Sequence, residues 1–123
     1  MQLTKMVSEH GLKAEYGLRG IRTFPWQDVV APFGSGYCVV DPGTETLRHV
    51  NSPADEEELF VGCSGTGVVL LGDERITIGA GDQIYIPVGV EHSIVNETEE
   101  EFAFFTIWWN SECVDEYNKT HTE

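Results

Sequence analysis

The stretch Gly81-Asp-Gln-Ile-Tyr-Ile-Pro87-Val-Gly89-Val-Glu-His92-Ser-Ile-Val-Asn96 decides the fold of this chain. Its first residues alternate as a strand does, Pro87 and Gly89 then predict a turn, and His92 opens the next strand. A strand that starts directly after such a turn holds its first side chain at a fixed angle. We therefore expect His92 to face the inside of a small barrel.

Short strand-like runs follow one another along most of the chain, separated by Gly, Pro and Asp turn residues. No long segment carries the 3.6-residue period of a helix with caps. The predicted strands cover residues 37–40, 47–50, 58–63, 67–71, 75–78, 83–86, 92–95 and 102–109. This pattern predicts an all-β fold of the sandwich or jelly-roll type.

The length of 123 residues suits one domain with a single core. We expect the barrel to span residues 24–109. Residues 1–23 are predicted to form an N-terminal arm, and the polar, acidic residues 110–123 a loosely held tail.

The chain is strongly acidic, with a formal net charge of −14. Such a surface repels phosphate, so we expect neither nucleic acid nor a membrane as partner. The three cysteines, Cys38, Cys63 and Cys113, form no CxxC motif, and their odd number fits reduced thiols. With no apolar run long enough to span a bilayer and no signal-peptide pattern, the sequence predicts a cytoplasmic protein.

Four residues are candidates for a metal site. His49 and Asn51 lie two apart, so in a strand they face the same way. Glu58 opens the following strand, and His92 opens a later one. Two imidazoles with a carboxylate suit Fe, Mn, Ni, Zn or Cu as a divalent ion. A single histidine in a strand is more often a hydrogen-bonded structural residue, and spacing alone leaves both interpretations open.

A resemblance to a known family favours metal ligands over structural histidines. The motif G-x5-P-x-G-x2-H-x3-N, typical of the cupin superfamily, is matched at every fixed position by Gly81, Pro87, Gly89, His92 and Asn96.

The first cupin motif, G-x5-H-x-H-x3,4-E-x6-G, is matched in part, by Gly43, His49, Glu58 and Gly65. Asn51 stands where the second histidine is expected, and six residues instead of three or four separate it from Glu58. The resemblance covers about residues 24–109. It implies a double-stranded β-helix jelly-roll barrel, often dimeric, with one divalent transition metal ion inside.

By this resemblance His49, Glu58 and His92 become metal ligands. The role of Asn51 stays open: it coordinates weakly, bonds a metal-bound water or contacts only the substrate. Glu56 or Glu57 would replace Glu58 if the strand register slipped, although the spacing to Gly65 favours Glu58.

The resemblance implies a metal-dependent enzyme of dioxygenase, isomerase or lyase type that acts on a small polar or carboxylated molecule. The alternatives are a non-catalytic binding or sensing cupin and an accessory cupin of a natural-product pathway. The latter rests on the similarity of residues 81–87 and of the late Ile107-Trp-Trp109 strand to cupins found there. Candidate ligand-binding residues, each also explicable as core or rim, are Trp26, Tyr37, Cys38, Arg75, Gln83, Tyr85 and Trp108.

The last predicted strand, Phe102-Ala-Phe-Phe-Thr-Ile-Trp-Trp109, is apolar on both faces. One interior can cover only one of them, so the second face predicts a homodimer.

Overall fold

The computed structural model describes residues 2–26 and 28–121, and these form two antiparallel sheets and one α-helix. The six-stranded sheet has the order β1-β2-β3-β9-β4-β7, and the three-stranded sheet has the order β6-β5-β8. The elements are β1 Lys13–Glu15, β2 Leu18–Phe24, β3 Gly34–Val40, β4 Glu57–Ser64, β5 Gly67–Leu71, β6 Glu74–Ile78, β7 Gln83–Ile86, β8 His92–Val95, β9 Phe102–Trp109 and α1 Ser111–His121. The predicted all-β jelly-roll fold is confirmed.

The core lies between the two sheets, because alternate residues of each strand point inward. Phe60 and Phe104 come from the large sheet, and Val69, Ile78 and Ile94 come from the small one. Burying each of these side chains contributes about 1.5–3 kcal/mol to the stability of the fold.

Every predicted strand except residues 47–50 is observed: four have the predicted ends, and the other three begin or end one to three residues away. Within 47–50 the structure has only an isolated bridge, His49–His92, and a second bridge, Glu45–Val95, lies just before that segment. The Thr46 hydroxyl accepts the Ile94 N–H at 2.9 Å, so a side chain takes a hydrogen bond that a regular ladder gives to backbone. The prediction of a strand at 47–50 is therefore wrong, although His49 still lies opposite His92.

The N-terminal segment corrects the expectation of an arm over residues 1–23. β1 and β2 form a hairpin whose turn residues, Tyr16 and Gly17, have positive φ angles of 53° and 79°. Such angles belong to the mirror-image turns that match the twist of paired strands. β2 pairs with β3 along its length, so this hairpin extends the large sheet.

The C-terminal segment corrects the expectation of a loose tail over residues 110–123, within its described part. Asn110 caps α1 by accepting the Cys113 N–H at 2.9 Å, and the Asp55 carboxylate accepts the Ser111 N–H at 2.8 Å. The tail's last two residues lie outside the described residues. Within the described chain no helix has the length and apolarity to cross a membrane.

Candidate functional site

A cavity of about 390 Å³ opens on the inner side of the large sheet. We call this side, which carries Cys38, Glu58, Phe104, Thr106 and Trp108, the cavity face. The cavity brings together all four residues predicted for a metal site, and its other polar walls come from the N-terminal hairpin and the loop before β4. Its polar and charged lining includes Glu15, Arg22, His49, Asn51, Glu56, Glu58, His92 and Thr106.

His92 is almost completely buried, at 2 % exposure. Its Nδ1 lies 2.9 Å from the Val90 carbonyl oxygen, which can only accept, so Nδ1 carries the proton. In the neutral ring Nε2 then keeps its lone pair. This Nε2 is buried and has no hydrogen-bond partner among the described residues. A buried polar atom without a partner costs free energy, and a ligand at that position would remove the cost.

The pKa of His92 reflects two opposing influences. Burial lowers the pKa, but the Glu58 carboxylate and the Val90 carbonyl outweigh it and leave the pKa raised. At 3.7 Å from Nε2, Glu58 Oε1 is too far for a hydrogen bond and acts by charge attraction. His92 therefore faces a site with a negative potential, which also favours a cation.

His49 lies beside His92, with the two ring centroids 4.7 Å apart. Two backbone hydrogen bonds, 3.1 and 2.9 Å long, join these residues across the bridge. The His49 Nδ1 donates to the Leu47 carbonyl at 3.1 Å, so its Nε2 is also left to accept or coordinate. The Tyr16 ring stacks on the His49 ring at 5.2 Å and covers it from the hairpin side.

Glu58 is held through both carboxylate oxygens. Asn51 Nδ2 donates to Oε1 at 3.0 Å, and the Thr106 hydroxyl donates to Oε2. Thr106 and Asn51 are 7 % and 9 % exposed. Because each oxygen has a second lone pair, the two donors fix the carboxylate and leave it able to bind a cation.

The two alternative glutamates have other hydrogen-bond partners. Glu57 points to the opposite side of the sheet, where it accepts hydrogen bonds from Tyr85 at 2.5 Å and from Trp109 at 2.9 Å. Glu56 lines the cavity but accepts from Asn110 at 3.0 Å, and burial raises its pKa. Of the three, Glu58 alone contacts Asn51 and faces His92.

The geometry and the donor chemistry of these residues bear differently on metal binding. Among the described residues no group of three or more His, Cys, Asp or Glu side chains is positioned to hold a metal ion. The donor chemistry of His49, Glu58 and His92 nevertheless fits a divalent transition metal. The His92 Nε2, which has no hydrogen-bond partner among the described residues, is the atom that would coordinate such an ion.

Two other predicted residues line the cavity. Trp108 forms a wall, and Cys38 lies on the floor. Burial, followed by the Glu58 and Glu15 carboxylates, raises the pKa of the Cys38 thiol to about 12. Cys38 therefore stays protonated at neutral pH and acts as a small apolar wall rather than as a thiolate.

The remaining candidates lie outside the cavity. Tyr37 packs edge-on against Phe105 on the other side of the sheet. Arg75 pairs with Glu97 at 2.8 Å on the surface, and Gln83 and Tyr85 are exposed on β7. Trp26 donates its Nε1–H to the Gln2 carbonyl at 2.6 Å.

Sequence reasoning missed several cavity residues, among them Glu15, Tyr16, Arg22 and Thr106. Glu15, Tyr16 and Arg22 come from the hairpin that was expected to be an arm. Thr106 shares the strand parity of Phe104 and Trp108, so the alternation of β9 already placed it inward. A hydroxyl in an otherwise apolar strand was the signal that could have found it.

With this geometry in place, comparison with known proteins defines the class of the chain. The sequence model of the Cupin domain family matches residues 36–108, more than half of the chain. This protein belongs to the cupin family.

Solved structures agree. The plu4264 protein from Photorhabdus luminescens is 31 % identical with a TM-score of 0.91, and the match covers 100 % of both chains. A Cupin 2 conserved barrel domain protein from Salinispora arenicola CNS-205 is 30 % identical with a TM-score of 0.88, covering 98 % of this chain and 99 % of that one.

A more distant neighbour is a sugar phosphate isomerase of the cupin superfamily from Silicibacter pomeroyi. It is 22 % identical with a TM-score of 0.64, and the match covers 76 % of this chain and 60 % of that one. This likeness shows the shared fold.

Proposed function

We propose that this cupin holds one divalent transition metal ion through His49, Glu58 and His92 and is a metal-dependent enzyme for a small polar or carboxylated molecule. The observation that carries the proposal is the buried His92 Nε2, which has no hydrogen-bond partner in the described part of the chain and faces the Glu58 carboxylate.

The protein's own contribution is to hold the donor groups in place. Val90 and Leu47 carbonyls fix both imidazoles by their Nδ1 atoms, while Asn51 and Thr106 fix Glu58. A bound ion would supply Lewis acidity or, if redox-active, oxygen chemistry of the dioxygenase type. Isomerase and lyase reactions fit the same donor set.

The second candidate is a non-catalytic binding or sensing cupin. It is favoured by Asn51, which donates to Glu58 at the position where the family motif has a histidine. With one imidazole fewer, the site would bind a metal more weakly, and the cavity would serve binding alone. An accessory role beside other enzymes of a natural-product pathway is a form of this second candidate.

The deciding experiment is metal content after purification without a tag or chelator. We expect close to one transition metal ion per chain, and a higher melting temperature when Fe(II), Mn(II), Ni(II) or Zn(II) is added to stripped protein. Absence of metal, together with an unchanged melting temperature for all four ions, would refute the proposal of a metal-dependent enzyme.

His92→Ala gives the matched variant. We expect it to lose the metal while keeping the β-sheet circular dichroism of the parent, because its ring borders a cavity. If His92→Ala instead fails to fold and the parent carries no metal, His92 is a structural residue.

We also propose that two copies of this chain associate through the side of the large sheet that faces away from the cavity. We call it the outer face, and it carries Leu59, Val61, Phe105, Ile107 and Trp109. All five are partly exposed in the single chain. An apolar surface of this kind favours burial against a second copy.

A further inference from the structure

Arg22 is the one Arg or Lys side chain that lines the cavity in the described part of the chain. It lies on β2, paired with Gly36 of β3, and therefore shares the cavity face with Thr106 and Trp108. Residue 22 is outside the segment that matches the Cupin domain, residues 36–108. The cationic group of the cavity thus comes from the N-terminal hairpin, outside the matched segment.

The guanidinium of Arg22 has most of its bonding capacity unused. It donates no hydrogen bond to a described residue, and its ion pair with Glu15 is 3.7 Å long between two well exposed side chains. An exposed pair at that distance is weak. Five N–H donors in a planar fork remain for a carboxylate, which they match in a bidentate geometry.

The indole ring of Trp108 contacts the guanidinium. The Arg22 Cζ lies 5.7 Å from the centroid of the Trp108 ring, within cation–π range. The indole packs directly on the Gly34 backbone, since a Cβ on Gly34 would lie 2.6 Å from its atoms. A cation–π contact uses the face of the guanidinium and does not consume its N–H donors.

The other charges of the cavity limit what can bind. Glu15, Glu56 and Glu58 line it, so a ligand with two carboxylates would bring its second one against these groups. A single carboxylate is matched by Arg22, and the cavity wall offers the apolar rings of Trp108 and Phe104 to the uncharged remainder. The volume of about 390 Å³ is suited to a small organic molecule.

We propose that Arg22 binds the carboxylate of a small monocarboxylic acid whose other end faces His49, Glu58 and His92. The proposal rests on the proposed function for the identity of the site, and it narrows the ligand class to acids with one carboxylate.

The test uses a panel of small monocarboxylic acids, each paired with its neutral amide, and calorimetry on the full chain with and without added Ni(II). We expect at least one acid to bind more tightly than its amide. Arg22→Met should weaken that acid by about tenfold to a hundredfold and leave the amide unchanged, because a charge-assisted hydrogen-bond pair is lost. The affinity of Arg22→Lys for the acid should lie between those of the parent and of Arg22→Met, since an ammonium group keeps the charge but lacks the planar pair of N–H donors.

Arg75→Met is the matched control, because it removes the same charge at a surface position outside the cavity. Equal weakening by Arg22→Met and Arg75→Met, or no acid preferred over its amide, would overturn the proposal. Arg22-dependent acid binding in a chain that takes up no metal would support this inference while refuting the metal-dependent enzyme. Metal uptake, together with acid binding that is unchanged in Arg22→Met, would support the metal-dependent enzyme and overturn this inference.

Discussion

The two faces of the large sheet are built from the same strands, yet they differ in what they offer. On the cavity face, β9 places Thr106 among Phe104 and Trp108, and its hydroxyl bonds Glu58. On the outer face, the neighbouring residues Phe105, Ile107 and Trp109 are apolar and partly exposed. Because side chains alternate along a strand, adjacent residues belong to the proposed ligand site and to the proposed dimer surface. The parity of a β9 residue, more than its position along the chain, therefore decides which of the two surfaces it lies on.

The largest difference in stability is expected between alanine variants of Phe104 and Phe105. Phe104 is 1 % exposed and packs against Phe60 with ring centroids 5.0 Å apart. Phe104→Ala should lower the free energy of unfolding by about 3–5 kcal/mol. Phe105→Ala should cost less than half as much, because its ring is only partly buried. Urea denaturation followed by circular dichroism measures both, and equal losses would contradict the assignment of faces.

A charge placed on the outer face should break the proposed dimer. Ile107→Glu is expected to weaken dimer formation by about a hundredfold or more, since the carboxylate would be buried without a partner. Light scattering after size exclusion reports the mass. Thr77→Glu adds the same charge at an exposed position of the small sheet and should leave the mass unchanged. A parent protein that is monomeric at high concentration would rule the dimer out.

Substitutions at Thr106 test whether a hydroxyl on the cavity face positions Glu58 for metal binding. Thr106→Val keeps the shape but removes the donor to Glu58, and we expect metal affinity to fall about tenfold to a hundredfold. Thr106→Ser restores the hydroxyl and should restore most of the affinity. Calorimetric titration with Ni(II) gives the values. If Val and Ser behave alike, the hydroxyl does not position Glu58.

The smallest change is expected at Asn51. Asn51→His adds an imidazole where the cupin motif has one, so metal binding should tighten, by roughly tenfold. The gain is limited, because the substitution also removes the amide that bonds Glu58. The same titration measures it, and an unchanged affinity would show that residue 51 does not face the metal.

Much of the barrel was predictable because its signals are local. Pro87 and Gly89 mark a turn and His92 follows it, so the approach to β8 could be read from neighbouring residues. The alternation of β9 placed Phe104 and Trp108 on one face. The meeting of His49 with His92 was predicted from the family resemblance, and the bridge between them agrees with it.

Other features depend on contacts between distant segments, which local patterns do not reveal. β2 forms because β3 offers it a free edge, and Arg22 enters the cavity only through that pairing. The helix α1 depends on Asn110 and on Asp55, a residue more than fifty positions earlier. Thr46 interrupts the ladder beside β8 with its side chain, so the strand expected at residues 47–50 is absent.

The run Glu56-Glu57-Glu58 has a consequence for how the chain tolerates changes in length. Each carboxylate has its own partners: Asn110 for the first, Tyr85 and Trp109 for the second, Asn51 and Thr106 for the third. Because the three residues are identical, deleting any one of them leaves a glutamate directly before Leu59 and keeps the register of β4. Such a loss would shorten only the preceding loop, which is the part that is longer than the cupin motif. Evolution can therefore adjust the mouth of the cavity by one residue without giving up the carboxylate within it.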